Sequence, residues 1–206
     1  MLSRRSGVPV PTIKYYLREN LLPAGKATAR NQARYDEEHL LRLRLIRTLT
    51  GIGRLDLSSV RDLLAAIDDD DVDMAELYQT VNRRVYPEKA QIDEPDSLEQ
   101  ARCDASRFVA EFGWCDDPLP ASHPLVHSLA ALRALGCDAN ASFLEPMAEA
   151  AERLAVHELE IQLPAGVTNP KAVAVVRTVL FEVAFAAARR MARERQVLLQ
   201  FGTTGP

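Results

Sequence analysis

The stretch "VPVPTIKYYLRENLL" (residues 8–22) decides how this chain is read, because it joins two prolines, an apolar period and a basic–Tyr–Tyr trio. Val10, Ile13, Tyr16 or Leu17, and Leu21 recur at helical spacing and predict one buried stripe. Pro9 and Pro11 fall before and within the first turn, where backbone N–H groups have no helical acceptor to lose. Asn20 supplies a residue that tolerates a left-handed cap. The result is a helix of about two to three turns. Its outer face carries Thr12, Lys14, Tyr15 and Arg18, with the two cations one turn apart. Tyr16 falls on the inner face and reads as core. Ser6–Gly7 predicts a tight turn, with "MLSRR" (residues 1–5) as the end of an earlier helix. Helix, short glycine turn, then basic helix is the outline of a helix-turn-helix.

Downstream, "PAGKATARNQARY" (residues 23–35) lacks an apolar period and carries Lys26, Arg30 and Arg34 among small polar residues. A hairpin too polar for a core, with cations on its rim, suits a DNA-binding wing. Taken alone, the segment also fits an ordinary surface loop. Asp36 is a predicted N-cap with Glu37 and Glu38 in the first turn. The helix that follows directs Leu40, Leu41, Leu43, Leu45, Ile46 and Leu49 inward and Arg42, Arg44 and Arg47 outward. It stops at Gly51 and Gly53. Asp56 caps a further helix with Leu57, Val60, Leu63 and Leu64 on its apolar side.

The net charge of −4 conceals an asymmetry. Through residue 67 there are 12 basic and 6 acidic side chains, a balance of +6; the 13 and 23 that remain leave −10. A basic head on an acidic body suits a polyanionic partner. The 206 residues allow one large domain or two modest ones. Three cysteines, Cys103, Cys115 and Cys137, are odd in number and widely spaced, which argues for reduced thiols. The longest apolar region, "VLFEVAFAAA" (residues 179–188), is too short to span a bilayer, so a cytoplasmic location with no membrane partner is expected.

In "SGVPVPTIKYYLRENLLPAG…ARYDEEHLLRLRLIRTL…LDLSSVRDLL", the turn, the basic–Tyr–Tyr trio, the double leucine and the Arg–Tyr–acidic step follow one another in order. That ordered set resembles the winged helix-turn-helix domain of the MerR family of bacterial transcription regulators, over residues 1–67. The resemblance implies a homodimer on double-stranded promoter or operator DNA with an overlong spacer. An effector then lets the protein bend and untwist the DNA for RNA polymerase. By matching positions, Lys14 and Tyr15 grip phosphates and Thr12 or Arg18 lies nearer base edges. Arg34 and Tyr35 fall at the step that clamps backbone, and Arg54 is a further phosphate candidate. Two departures stand out. The family has about one more turn before "LSRRSG", so either the start is assigned late or the first helix is shortened, and the "GIGRLDL" turn (residues 51–57) is about one residue longer than the family pattern.

The acidic run "DDDDVD" (residues 68–73) marks a boundary. Met74, Leu77, Tyr78, Val81 and Val85 then form a stripe too short to hold a coiled-coil dimer alone. Residues 68–95 therefore read as an acidic segment, short helix and linker, and residues 96–206 as an all-helical effector-binding and dimerisation domain. Asp96 is expected to cap the first tail helix. Asn169 and Pro170 open a last helix that is apolar on nearly every side from residue 173 to 191, which suits a core or a partner chain. The tail loosely resembles the ligand-binding domain of TetR-type regulators, in which final helices form the dimer. Phe108, Phe112, Trp114, Phe143, Phe181 and Phe185 are candidates for a pocket taking a small apolar ligand. For any single ring, plain core packing is the simpler reading.

No metal site is expected: the cysteines are too far apart for a thiolate clip, and His123 with His127 offers two ligands at most. No cofactor is implied. No nucleophile elbow, His-Glu-x-x-His or phosphate loop follows a strand, so no catalytic residue is assigned and no enzyme is expected. The expected fold is mainly α, with a small β-hairpin wing on the N-terminal domain and an all-α C-terminal domain. The expected function is that of a DNA-binding transcription regulator. Its rivals are an effector-independent repressor or architectural binder, and a helical protein that sequesters small molecules.

Overall fold

The computed structural model describes residues 2–29, 32–85, 95–114, 117, 123–137, 139, 143–162 and 166–201. The chain forms two compact units, one of residues 1–85 with 167–206 and the other of residues 86–166. In the first unit, α1 (Leu2–Ser6) and α2 (Val10–Arg18) precede a hairpin of β1 (Lys26–Ala29) and β2 (Gln32–Arg34). Then come α3 (Glu37–Arg47), a π-turn (Thr48–Ile52), α4 (Leu57–Asp68) and α5 (Met74–Val85), and finally α9 (Pro170–Phe201). The second unit holds α6 (Pro95–Glu111), α7 (Pro124–Ala134) and α8 (Glu145–Glu160).

Local chemistry sets the ends of these helices. Asn20, at φ 56°, closes α2 as the left-handed residue of a Schellman motif. The Leu21 N–H reaches the Tyr16 carbonyl at 2.9 Å, and the Asn20 N–H reaches the Leu17 carbonyl at 3.3 Å. Asp56 accepts the Ser59 N–H at 2.8 Å and starts α4. Asn169 accepts the Ala172 N–H at 2.9 Å and starts α9.

The N-terminal core contains Val8, Ile13, Tyr16, Leu21, Leu22, Leu43, Ile46, Leu49, Val60, Leu63 and Leu64. Leu77 and Val81 of α5 join it, as do Val175 and Val179 of α9. Fully burying each of these side chains is worth about 1.5–3 kcal/mol. Two expected core positions are exposed. Val10, 53% exposed, sits on the outer side of the first turn of α2, and Val8 fills the core in its stead. Leu41, 47% exposed, is one residue and roughly 100° beyond Leu40, which takes the inward place.

The expected division, with the last helix in a tail domain of residues 96–206, needs correction. Helix α5 is only 12 residues long. The first half of α9 packs against α4, α5 and the π-turn, completing the cover of the head's core. Most of the expected linker lies outside the described residues. Asp96 is inside α6, which Pro95 heads, so it is not that helix's cap.

The second unit has its own core of Ala101, Ala105, Phe108, Val109, Val126, Leu129, Ala130, Leu144 and Ala148. Arg133 of α7 donates to Asp104 of α6 at 2.7 Å and to the Ala139 carbonyl at 2.9 Å. Because the two cores are separate, Val175→Ala should lower the stability of the head by about 2–3 kcal/mol. The single tryptophan, Trp114, belongs to the other unit. Denaturant titration should therefore shift the far-ultraviolet transition of the head while the tryptophan-emission midpoint stays put. Parallel shifts of both would contradict two cores.

Candidate nucleic-acid interface

Helix α2 is held in one rotational setting. Ile13 and Tyr16 are buried on its inner side, and Leu21 and Leu22 lock its end into the core. Burial also pushes the Tyr16 phenol above its ordinary pKa. Gly7, at φ 68°, makes the turn ahead of the helix. Arg47 closes that turn by donating from Nη1 to the Ser6 carbonyl at 2.7 Å. With the inner face fixed, Lys14 and Arg18 are exposed on the other side and Thr12 and Tyr15 are half-buried beside them. The Tyr15 and Tyr16 rings lie 6.0 Å apart, tilted by 54°.

The hairpin is antiparallel, with Lys26 opposite Arg34 and Ala27 opposite Ala33. Two like charges facing each other across a ladder oppose hairpin formation, and both are exposed. An approaching anion would relieve that repulsion. Arg30 lies outside the described residues. Tyr35 stands edge-on to His39, ring centroids 5.1 Å apart. His39 Nδ1 lies 2.6 Å from Asp36 Oδ1 and 3.3 Å from the Asp36 backbone nitrogen. The shorter contact is read as Nδ1–H donating to the carboxylate, since one ring nitrogen cannot also accept from the amide. The His39 hydrogen bond holds the Asp36 carboxyl below its usual range, and Asp36 caps α3. The Arg34–Tyr35 step is thereby tied to the start of a helix.

Arg54 follows the π-turn at φ 55°, exposed to solvent. The π-turn, Thr48–Ile52, is a single turn at the end of α3, the usual extent of such helices. An arginine in the left-handed region costs about 1–2 kcal/mol.

Charge is sorted within this unit. Arg5 pairs with Glu37, Arg42 with Asp68, Arg61 with Glu19 and Arg84 with Asp62. Arg42 also donates to the Leu21 carbonyl at 3.0 Å, so it belongs to the framework. Among the described residues, no carboxylate pairs with Lys14, Arg18, Arg34 or Arg54. The expected contact residues, Thr12, Lys14, Tyr15, Arg18, Arg34, Tyr35 and Arg54, all lie in this one unit at least partly open to solvent. The sequence marks Lys26 as a rim cation, but its place opposite Arg34 comes only with the strand register.

The six aromatic candidates do not form one group within a unit. Phe108, Phe112 and Trp114 converge, with ring centroids 5.1 Å apart for Phe108–Phe112 and for Phe112–Trp114. Trp114 donates from Nε1 to Glu152 at 2.6 Å, joining the end of α6 to α8. Phe143 is exposed in the same unit, whereas Phe181 and Phe185 lie on α9 in the other. His123 Nδ1 accepts the Leu125 N–H at 3.2 Å and caps α7. Among the described residues, no group of three or more metal-binding side chains comes together, and no helix is long and apolar enough to cross a membrane.

A fixed helix with an open cationic side, followed by a small hairpin and a capped helix, defines a winged helix-turn-helix domain. Residues 1–67 match the model of the MerR HTH family regulatory proteins. A relative from Haemophilus influenzae, the HTH-type transcriptional regulator ZntR homolog, is 38% identical over 63 residues. That match covers 31% of this chain and 46% of the relative's length. The crystal structure of SCO5550 from Streptomyces coelicolor A3(2), assigned to the transcriptional regulators, aligns with a TM-score of 0.72 at 32% identity. It covers 100% of this chain and 98% of its own. Residues 1–67 are thus a MerR-family helix-turn-helix domain, in a chain that is similar along its whole length to a transcriptional regulator.

Replacing Arg54 by glycine should remove the left-handed penalty and leave the protein up to about 1 kcal/mol more stable. The same substitution should weaken binding to duplex DNA. Thermal melting and an affinity titration check the two halves separately.

Proposed function

We propose that the chain is a homodimeric, sequence-specific regulator that sets α2 into the major groove of promoter DNA. The hairpin step and Arg54 then hold the flanking phosphates. The observation that carries this reading is that, among the described residues, Lys14, Arg18, Arg34 and Arg54 have no carboxylate partner, while other arginines of the same unit are neutralised. Cations left free in this way release counterions from DNA when they meet phosphate. Lys14→Ala with Arg34→Ala should therefore cut operator affinity and flatten its salt dependence, by about 0.9 in log–log slope for each phosphate no longer neutralised. Selection of duplexes from a random pool supplies the operator. An unchanged slope in the double variant would sink the reading.

Dimerisation through α9 is part of the same proposal. Beyond residue 181 the helix keeps its apolar side chains in the open: Met191 is 69% exposed and Leu198 and Phe201 are 70% exposed. Clustered apolar exposure of this kind marks an interaction surface. Helix α5, at 12 residues, is too short for a stable coiled coil. Leu198→Glu should give a monomer in analytical ultracentrifugation with the head still folded; a dimer of unchanged stability would move the interface elsewhere.

The further parts of the proposal concern control. A small apolar effector bound beside Phe108, Phe112 and Trp114 changes how the dimer bends and untwists promoter DNA, and RNA polymerase reads the result. The setting is the cytoplasm.

A further inference from the structure

The π-turn joins α3 to α4 and is met there by the last helix of the chain, α9. Gly53 is the point of contact: a Cβ there would stand 2.6 Å from Val179 Cγ1 of α9 and 2.7 Å from the Leu49 carbonyl oxygen. Neither distance is tolerable for a real side chain, so α9 and the turn touch backbone to side chain with no slack. Val179 is buried in the same core as Leu49. On both sides of Arg54 the backbone is pinned. The Gly53 N–H donates to the Thr48 carbonyl at 3.0 Å, and the Leu55 N–H donates to the Leu49 carbonyl at 3.0 Å. Between these two bonds Arg54 is held at φ 55° with its side chain exposed. Among the described residues its guanidinium is paired with nothing.

A residue kept in the left-handed region while its side chain does nothing for the fold is an outlier whose reason lies outside the fold. We propose that Val179, pressed against Gly53, makes α9 the positioning element of the Arg54 phosphate contact. Gly53 and Val179 touch no DNA themselves. They set where the arginine stands. A shift of α9 along its axis moves the turn, because the contact has no free space to absorb it. The C-terminal helix thus has a route to the DNA grip that does not pass through α2 or the wing. The inference rests on the reading of Arg54 as a phosphate contact.

A thermodynamic cycle on the full chain tests it. The probe is a duplex recovered from a random pool by the wild-type protein, titrated between about 50 and 200 mM salt. Arg54→Ala asks the same of the backbone as arginine and should flatten the log–log slope by about 0.9 per phosphate, about 1.8 for a two-fold pair. Gly53→Ala should flatten it equally, and the double variant no more than either alone. A purely structural role for Gly53 would move the melting temperature yet leave the contribution of Arg54 intact, so that the effect of Arg54→Ala persists in the Gly53→Ala background. That outcome overturns the proposal, as does a wild-type slope in Gly53→Ala. An Arg54→Ala protein with the wild-type slope overturns it too; if Lys14→Ala with Arg34→Ala still flattens the slope, the winged-helix reading survives. Should Gly53→Ala fail to fold, Val179→Ala opens the same contact from the helix side and enters the same cycle.

Discussion

The burial of Val175 and Val179 against helices from the opposite end of the sequence is the constraint on which the rest of the head depends. Helices α1 to α4 form a small unit, and α5 ends after 12 residues. A domain of this size has little surplus stability, so a further helix that closes the core has a large effect on the whole. Closing it with the last helix of the chain has a structural consequence. The element whose second half carries exposed apolar side chains is the same element whose first half completes the head's core.

Electrostatics divides the arginines into two kinds. Arg42 and Arg47 spend their guanidinium groups on backbone carbonyls, at 3.0 Å from Leu21 and 2.7 Å from Ser6, and thereby orient α1 and α2. Lys14, Arg18, Arg34 and Arg54 point away from such uses. On α2 the separation follows from helical geometry: with Ile13 and Tyr16 on the inner side, Lys14 and Arg18 fall on the exposed one. A cationic surface made this way adds little to the fold. It carries free energy to be realised only on a polyanion.

Legibility in the sequence follows locality. The Asn20 cap, the Asp36 and Asp56 caps and the glycine turn at Gly7 are readable because each is satisfied within a few residues. The exposed face of α2 is readable because one helical period fixes both sides at once. Helix α9 is misplaced by sequence reasoning for the opposite reason. Its apolar residues announce burial, but no local signal says whether the cover is a tail domain, a partner chain or, as found for its first half, α4 and α5. The aromatic group fails likewise: Phe181 and Phe185 share a composition with Phe108 and Phe112 but not a core. The closeness of Gly53 to Val179 joins residues far apart in sequence, and a glycine after a helix reads only as a stop.

Native-state hydrogen exchange on the intact chain tests the central claim most directly, since it reports the opening free energy of each amide. If one core is built from both ends of the sequence, the buried amides of α3, α4 and the first half of α9 exchange through one shared opening, with one denaturant dependence. If the amides around Val175 and Val179 open at a distinctly lower free energy while those of Leu43, Ile46 and Leu63 stay protected, α9 is an accessory to the head and the account fails.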